Sequence, residues 1–225
     1  MYIELSYTIG DVNPLEEGLG LPKPIVKWRA KFGDGQGRGN QVSSIEMLSH
    51  TGTHIDTAYH VLSNGAKIND YEISDFVFTS PIVIECPKGD LEEIEIGDLD
   101  KHINDLKKCD MLLIYTGFSK YRFNETERYV NKAPGFSLKS AEYIVNNFPN
   151  IRCIGMDLQG VENVIVGEKN NFSVHKILLG SNPKYLLIED MNIAPAVGKK
   201  LKRVFVAPIR MVGTEGSPAT IIAEI

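Results

Sequence analysis

Three of the five histidines in this 225-residue chain fall in one short window, Ser49-His50-Thr51-Gly52-Thr53-His54-Ile55-Asp56-Thr57-Ala58-Tyr59-His60. Imidazole and carboxylate together form the donor set that suits zinc, manganese or iron. On a helix, His50 and His54 would share a face, but Thr51-Gly52-Thr53 makes a poor helix core. In an extended chain His50, Gly52, His54, Asp56 and His60 share parity and therefore one face. At about 3.3 Å per residue, His50 and His54 would stand roughly 13 Å apart. One ion with bonds of about 2.0–2.1 Å cannot span that gap. The chain must bend between them, and Gly52 is the residue that permits the bend. His54 and Asp56, about 7 Å apart along a strand, can share an ion with little bending. The ordinary alternative is a core histidine satisfied by hydrogen bonds. Three such rings beside a carboxylate would each need a partner of their own.

The elements that must position these residues follow from hydrophobic periodicity. Tyr2 to Ile9 alternates as a half-buried strand. Further strands are expected at Val77–Cys86, Met111–Thr116, Ile151–Asp157, Tyr185–Glu189, Val204–Ala207 and Thr220–Ala223. Several are short continuous apolar runs, as strands covered on both faces should be. Ser137 caps a helix whose Leu138, Ala141, Ile144, Val145 and Phe148 recur at helical spacing, and Pro149 stops it. Ser173 precedes a second helix, Val174 to Leu179, closed by Gly180 and Pro183; Asp100, Ile103 and Leu106 suggest a third. The Gly- and Pro-rich segment 10–41 reads as one long loop, a functional lid or binding loop or else disordered. Its Gly33–Gly39 stretch fails as a phosphate loop: no register gives G-x-G-x-x-G and no helix pattern follows, so a turn is expected. No internal repeat is visible. The expectation is one α/β domain over residues 1–225, a mixed sheet with flanking helices.

Composition narrows the partners. The balance of 24 Lys+Arg against 29 Asp+Glu has no basic stripe, and the run Lys199-Lys200-Leu201-Lys202-Arg203 reads as a solvated turn or strand entrance. No nucleic-acid partner is expected. Cys86, Cys109 and Cys153 are odd in number, far apart and set in apolar runs, as buried thiols of a reducing compartment would be. Met1 to Leu5 shows no basic leader, and no apolar run approaches a membrane span of roughly 18 residues. A cytoplasmic protein without a membrane partner is expected.

The histidine window resembles the signature H-x-G-T-H-x-D-x-P-x-H of the cyclase-like metal-dependent hydrolases, a family that includes kynurenine formamidases and isatin hydrolases. His50, Gly52, Thr53, His54, Asp56 and His60 match it, and Ala58 stands where the family has proline. That departure removes a stiff turn residue but no ligand. Ile3-Glu4-Leu5-Ser6, Pro134-Gly135-Phe136-Ser137, Gly155-Met156-Asp157 and Val206-Ala207-Pro208-Ile209, followed by Gly213 and Gly216-Ser217-Pro218-Ala219, resemble further family motifs. The resemblance implies a swivelling β/β/α-type fold. It also implies first-metal ligands at His50, His54 and Asp56, with Asp56 bridging to a second metal held by His175 and Glu189. Asn182-Pro183-Lys184 looks like a small insertion between those two, which makes Asp190 a possible substitute for Glu189. Read without the family, His175 fits a ligand or a structural helix-start residue equally. The resemblance makes His60 the proton-transfer residue; His102 has no counterpart and reads as a surface residue.

The function these residues imply is a metal-dependent amidohydrolase. It would use one or two divalent ions, zinc or manganese, to activate water against an aryl formamide, amide or cyclic imide, with His60 donating a proton to the departing nitrogen. No Gly-x-Ser-x-Gly or Walker lysine motif competes. Two other readings share the scaffold: a metal- or small-molecule-binding protein without turnover, and a ring-forming enzyme. Trp28 or Phe32 in the long loop could stack on an aromatic substrate or simply pack. A homodimer or homotetramer is the default assembly.

Overall fold

His54 to Asp56 form a strand hydrogen-bonded on both sides, at the junction of two differently built halves of one sheet. The structure, a computed structural model, describes residues 1–10, 12–33, 35 and 39–225. Residues 34 and 36–38 lie outside it, and with them most of the turn expected over 33–39.

In chain order the elements begin with β1 (Tyr2–Glu4), α1 (Pro14–Leu19), β2 (Ile25–Ala30), β3 (Val42–Glu46) and β4 (His54–Asp56). Next come β5 (Val77–Phe78), β6 (Pro81–Glu85), β7 (Glu93–Ile94), α2 (Ile96–Asp100), α3 (Ile103–Leu106) and β8 (Met111–Tyr115). The middle of the chain adds α4 (Thr126–Asn131), β9 (Gly135–Phe136), α5 (Leu138–Asn147) and β10 (Cys153–Met156). The chain continues through α6 (Val164–Lys169), α7 (Ser173–Gly180), β11 (Leu186–Glu189), β12 (Arg203–Pro208) and β13 (Gly216–Glu224).

The nine-stranded sheet runs β5-β12-β13-β4-β11-β10-β8-β6, with β1 also paired to β13. β6, β8, β10 and β11 are mutually parallel, whereas every pairing from β4 outwards to β5 is antiparallel. Alternation along β8 shows how both faces are covered. Leu112 and Ile114 pack with Ala141, Ile144 and Leu178 of the helices. Met111 and Leu113 pack on the other face with Ile55, Val204 and Ile221 of the antiparallel half. The antiparallel strands therefore curl over the parallel ones, and burial on both faces explains the continuous apolar runs. Among the described residues no helix is long and apolar enough to cross a membrane. Cys86, Cys109 and Cys153 are buried free thiols.

The differences from expectation have local causes. Segment 10–41 is not a single loop. Pro14 at the first turn and Gly20 in the left-handed region (φ 66°) bracket a six-residue helix, and β2 and β3 pair as an antiparallel ribbon. The run Val77–Cys86 divides into β5 and β6, because the Asp110 carboxylate accepts from the amides of Thr79 and Ser80 and holds a corner there. The first strand stops at Glu4; the Tyr7 amide donates instead to Thr53 Oγ1 at 2.9 Å. Ser137 caps α5 as its sequence predicts, its Oγ accepting from Ser140 N. Ser173 does not cap α7. Phe172, at φ 50°, is the capping position, and the Glu162 carboxylate takes the His175 amide.

Candidate metal centre

The chain reverses at Gly52, which adopts φ 64°, a conformation that favours glycine. This turn brings the His50 and His54 ring centroids to 4.9 Å. His54 Nδ1 donates to the Gly52 carbonyl at 2.8 Å, which fixes its tautomer and turns Nε2 towards the carboxylates. Cross-strand register does the rest, pairing His54 with Glu189 on β11 and Asp56 with Gly216 on β13. Only glycine fits at 216: a Cβ there would lie 2.8 Å from the Ile55 carbonyl oxygen and 3.4 Å from Asp56 Oδ1.

Asp56 Oδ1 lies 2.9 Å from His50 Nδ1 and 3.5 Å from His54 Nε2. Glu189 reaches both neighbouring rings, Oε2 at 3.4 Å from His54 Nε2 and Oε1 at 3.3 Å from His175 Nε2. Two sets of donor atoms each fall within 4.8 Å of one another, His50-Asp56-His60 and His54-Asp56-Glu189. They share Asp56. Beyond these ion contacts, His54 Nε2 and both Asp56 oxygens are buried without an aligned hydrogen bond, a costly arrangement that a cation would satisfy. The residues present thus fit a divalent ion.

The local field points the same way. Burial opposes a charge on the His50 ring, but the Asp56 and Glu215 carboxylates outweigh it and push it up to about 10. His175 is likewise raised to about 10, burial being overcome by Glu162 and Glu189. Burial would raise the Asp56 carboxyl, yet the surrounding histidines hold it far below the usual carboxylate range. The cluster therefore attracts positive charge. His60 differs: burial, together with the charges of His50 and His175, holds it below its ordinary value.

The structure brings His50, His54, His60, His175 and Glu189 together around one cavity of about 340 Å³, with Asp56 buried behind the histidines. His60 stands closer than a residue at the mouth of the site would, within ligating range of Asp56 and His50. Asp190 is no substitute for Glu189. Its carboxylate accepts from Arg122 Nε at 2.7 Å, Arg122 Nη2 at 2.6 Å and the Tyr129 hydroxyl at 2.9 Å, all inside the protein. Trp28 lies half exposed on the β2–β3 ribbon under the Lys31 ammonium, and it is not among the residues lining the cavity. Segment 10–41 contributes Leu15 and Leu21 to the wall instead. Glu16, on α1, ties that wall to the ligand turn by accepting from Thr51 Oγ1 at 2.5 Å.

Three polar residues of the site were not singled out by the sequence. Glu162 holds His175 Nδ1 at 2.7 Å. Glu215 lies 3.3 Å from His50 Nε2, accepts from Ser49 Oγ at 2.5 Å, and is lowered to about 2, chiefly by His50. Gln159 lines the cavity between β10 and α6. Glu215 directly precedes the Gly216-Ser217-Pro218-Ala219 motif, which was the available signal for it; Glu162 and Gln159 had none.

Residues 3–163 match the family model described as "Putative cyclase". An uncharacterised protein of Methanocaldococcus jannaschii is 33% identical over 185 residues, covering 81% of this chain and 82% of that protein. A kynurenine formamidase of Geobacillus thermodenitrificans is 28% identical over 164 residues, 72% of this chain and 70% of the formamidase. Among solved structures, isatin hydrolase A from Labrenzia aggregata superposes with a TM-score of 0.80 at 18% identity, covering 99% of this chain and 93% of that one, and so shares the fold. By the match over residues 3–163, the chain belongs to the cyclase family.

Proposed function

We propose that this protein is a metal-dependent hydrolase of amide bonds, acting on an aryl formamide or a cyclic amide or imide and using zinc or manganese. The observation that carries this reading is the pair of ligand triads sharing the buried Asp56 beside a cavity the size of a small aromatic molecule. Kynurenine formamidase and isatin hydrolase relatives support the same chemistry. His50, His54, Asp56 and Glu189 would hold the metal, with His175 Nε2 3.3 Å from Glu189 Oε1 as a further ligand if a second ion binds. When bound, a divalent cation supplies Lewis acidity, polarising a carbonyl oxygen and lowering the pKa of water towards neutrality.

The remaining work falls to the chain itself. Leu15, Leu21, Leu48 and Phe172 give the cavity an apolar wall against which an aromatic ring loses water. His60, held below its ordinary pKa by burial and by the charges of His50 and His175, would take a proton and pass it to the departing amide nitrogen. Glu162 fixes the His175 ring from behind. The test is a metal-loaded preparation assayed against N-formyl arylamines, isatins and cyclic imides, with products analysed for opened and closed rings. Opening identifies a hydrolase and closure a ring-forming enzyme. Metal binding with no conversion of any substrate would leave a binding protein.

A further inference from the structure

Gln159 is 4% exposed, and neither its Oε1 nor its Nε2 has a hydrogen-bond partner. Native interiors rarely leave a carboxamide so. Most other unpaired buried atoms have a place elsewhere: His54 and Asp56 belong to the ligand cluster, and Tyr185 lies in the helix-side core. Gln159 is the neutral case with one donor and one acceptor group together, and it lines the same cavity as His50, His54 and His60.

The backbone around it cannot withdraw. On one side the Asp157 carboxylate accepts from Thr116 N and Oγ1 at 2.8 Å and from Ser119 Oγ at 3.0 Å. The Leu158 carbonyl accepts from the Asp190 amide at 2.6 Å. On the other side a Cβ at Gly160 would meet the Glu162 carbonyl oxygen at 2.8 Å, and the Val161 amide donates to Glu189 Oε1 at 2.9 Å. Gln159 is thus presented by a short segment fixed at both ends, one of its anchors being a carboxylate of the ligand cluster itself.

A carboxamide carries its oxygen and one N–H on the same edge. It is satisfied in one step by a partner with a C=O and an N–H side by side. Lactams and cyclic imides offer that edge because the ring forces the amide cis. An open-chain secondary amide is trans and offers its C=O and N–H on opposite edges. Given a cavity that processes amides, as proposed above, we infer that Gln159 is its specificity-determining residue: Nε2 donates to the carbonyl of a cis amide while Oε1 accepts from its N–H. The desolvation of both groups is already met by the fold, so a matched ligand gains two hydrogen bonds and a mismatched one leaves a polar atom unpaired.

Calorimetric binding to the metal-loaded protein tests this with oxindole, a lactam, against N-methyloxindole and acetanilide. The wild type should bind oxindole about tenfold or more tightly than either, the ratio expected for one lost hydrogen bond. Gln159→Met, unbranched and of similar length, should erase the preference while metal content and Tm hold. Gln159→Glu, which removes the donor, gives the same comparison if the methionine variant fails to fold. Equal or undetectable binding of the three by the wild type overturns the inference, as does a preference that survives substitution. Loss of metal from the variants would make Gln159 a ligand instead. Turnover of isatin and N-formylaniline, measured on the same wild-type preparation, separates the two claims: preference without turnover sinks the hydrolase reading alone, and turnover without preference sinks the role of Gln159 alone.

Discussion

The Glu162 carboxylate accepts from His175 twice through one oxygen, from the backbone amide at 3.1 Å and from ring Nδ1 at 2.7 Å. One side chain therefore caps the start of α7 and aims the histidine it carries. Glu162→Gln preserves an acceptor for the amide but loses the charge that holds the ring. We expect metal affinity to fall about 10–100-fold with little change in Tm, as removal of a group supporting a ligand histidine commonly does. Metal titration by calorimetry checks it; an unaltered affinity would detach Glu162 from the site.

His54→Ala should strip most of the metal. Its Nε2 stands between Asp56 and Glu189. His175→Ala should lower the bound metal by about one ion if two are held, leaving the fold intact. Elemental analysis of both variants reads the outcome directly, and full stoichiometry in the first would remove the core of the proposal.

His60→Ala should keep its metal and lose turnover by about 10²–10⁴, the usual worth of a general acid or base. The loss should shrink for substrates whose leaving nitrogen needs no proton. The short approach of His60 to Asp56 and His50 makes the metal count as informative as the rate. A variant that sheds an ion would turn His60 from a proton carrier into a ligand.

Asp157→Ala should destabilise the protein by roughly 3 kcal/mol or more, because Thr116 and Gly117 amides and two hydroxyls lose a buried acceptor. For a chain of this size that is a fall in Tm of about 6–12 °C. Burial pushes the Asp157 carboxyl up while those donors pull against it. A Tm within a degree or two of wild type would contradict this account.

We propose further that the β2–β3 ribbon is covered in a homodimer or homotetramer, since Ile25, Val26, Trp28, Val42 and Ile45 are all exposed along it. Light scattering should give a multiple of the 25.0 kDa chain mass, and Trp28→Glu should reduce it. A monomeric wild type would rule the assembly out.

The site was legible in the sequence where its residues lie close along the chain. His50, His54 and Asp56 could be placed by spacing and one glycine, because a strand and a turn convert sequence distance into geometry. Glu189 could be placed only through resemblance; what puts it there is its register opposite His54 on a strand far along the chain. Glu162 and Gln159 lie in an irregular connection with no periodicity to read, and they act through side chains of elements met only in three dimensions. The same reason hid the helix Pro14–Leu19: six residues are too few to show a period, and only the bracketing Pro14 and Gly20 marked it. The break at Thr79-Ser80 was invisible because its cause, Asp110, sits on the approach to another strand.

The position of β4, hydrogen-bonded to β11 on one side and β13 on the other, separates what must stay fixed from what is free to change. His54, Asp56 and Glu189 ride on paired strands, whereas Leu15, Leu21, Gln159 and Phe172 sit outside the strands, on α1 and on connecting segments. The lining of the cavity can therefore be exchanged, by natural drift or at the bench, while the histidine and carboxylate cluster on the strands is carried over unaltered.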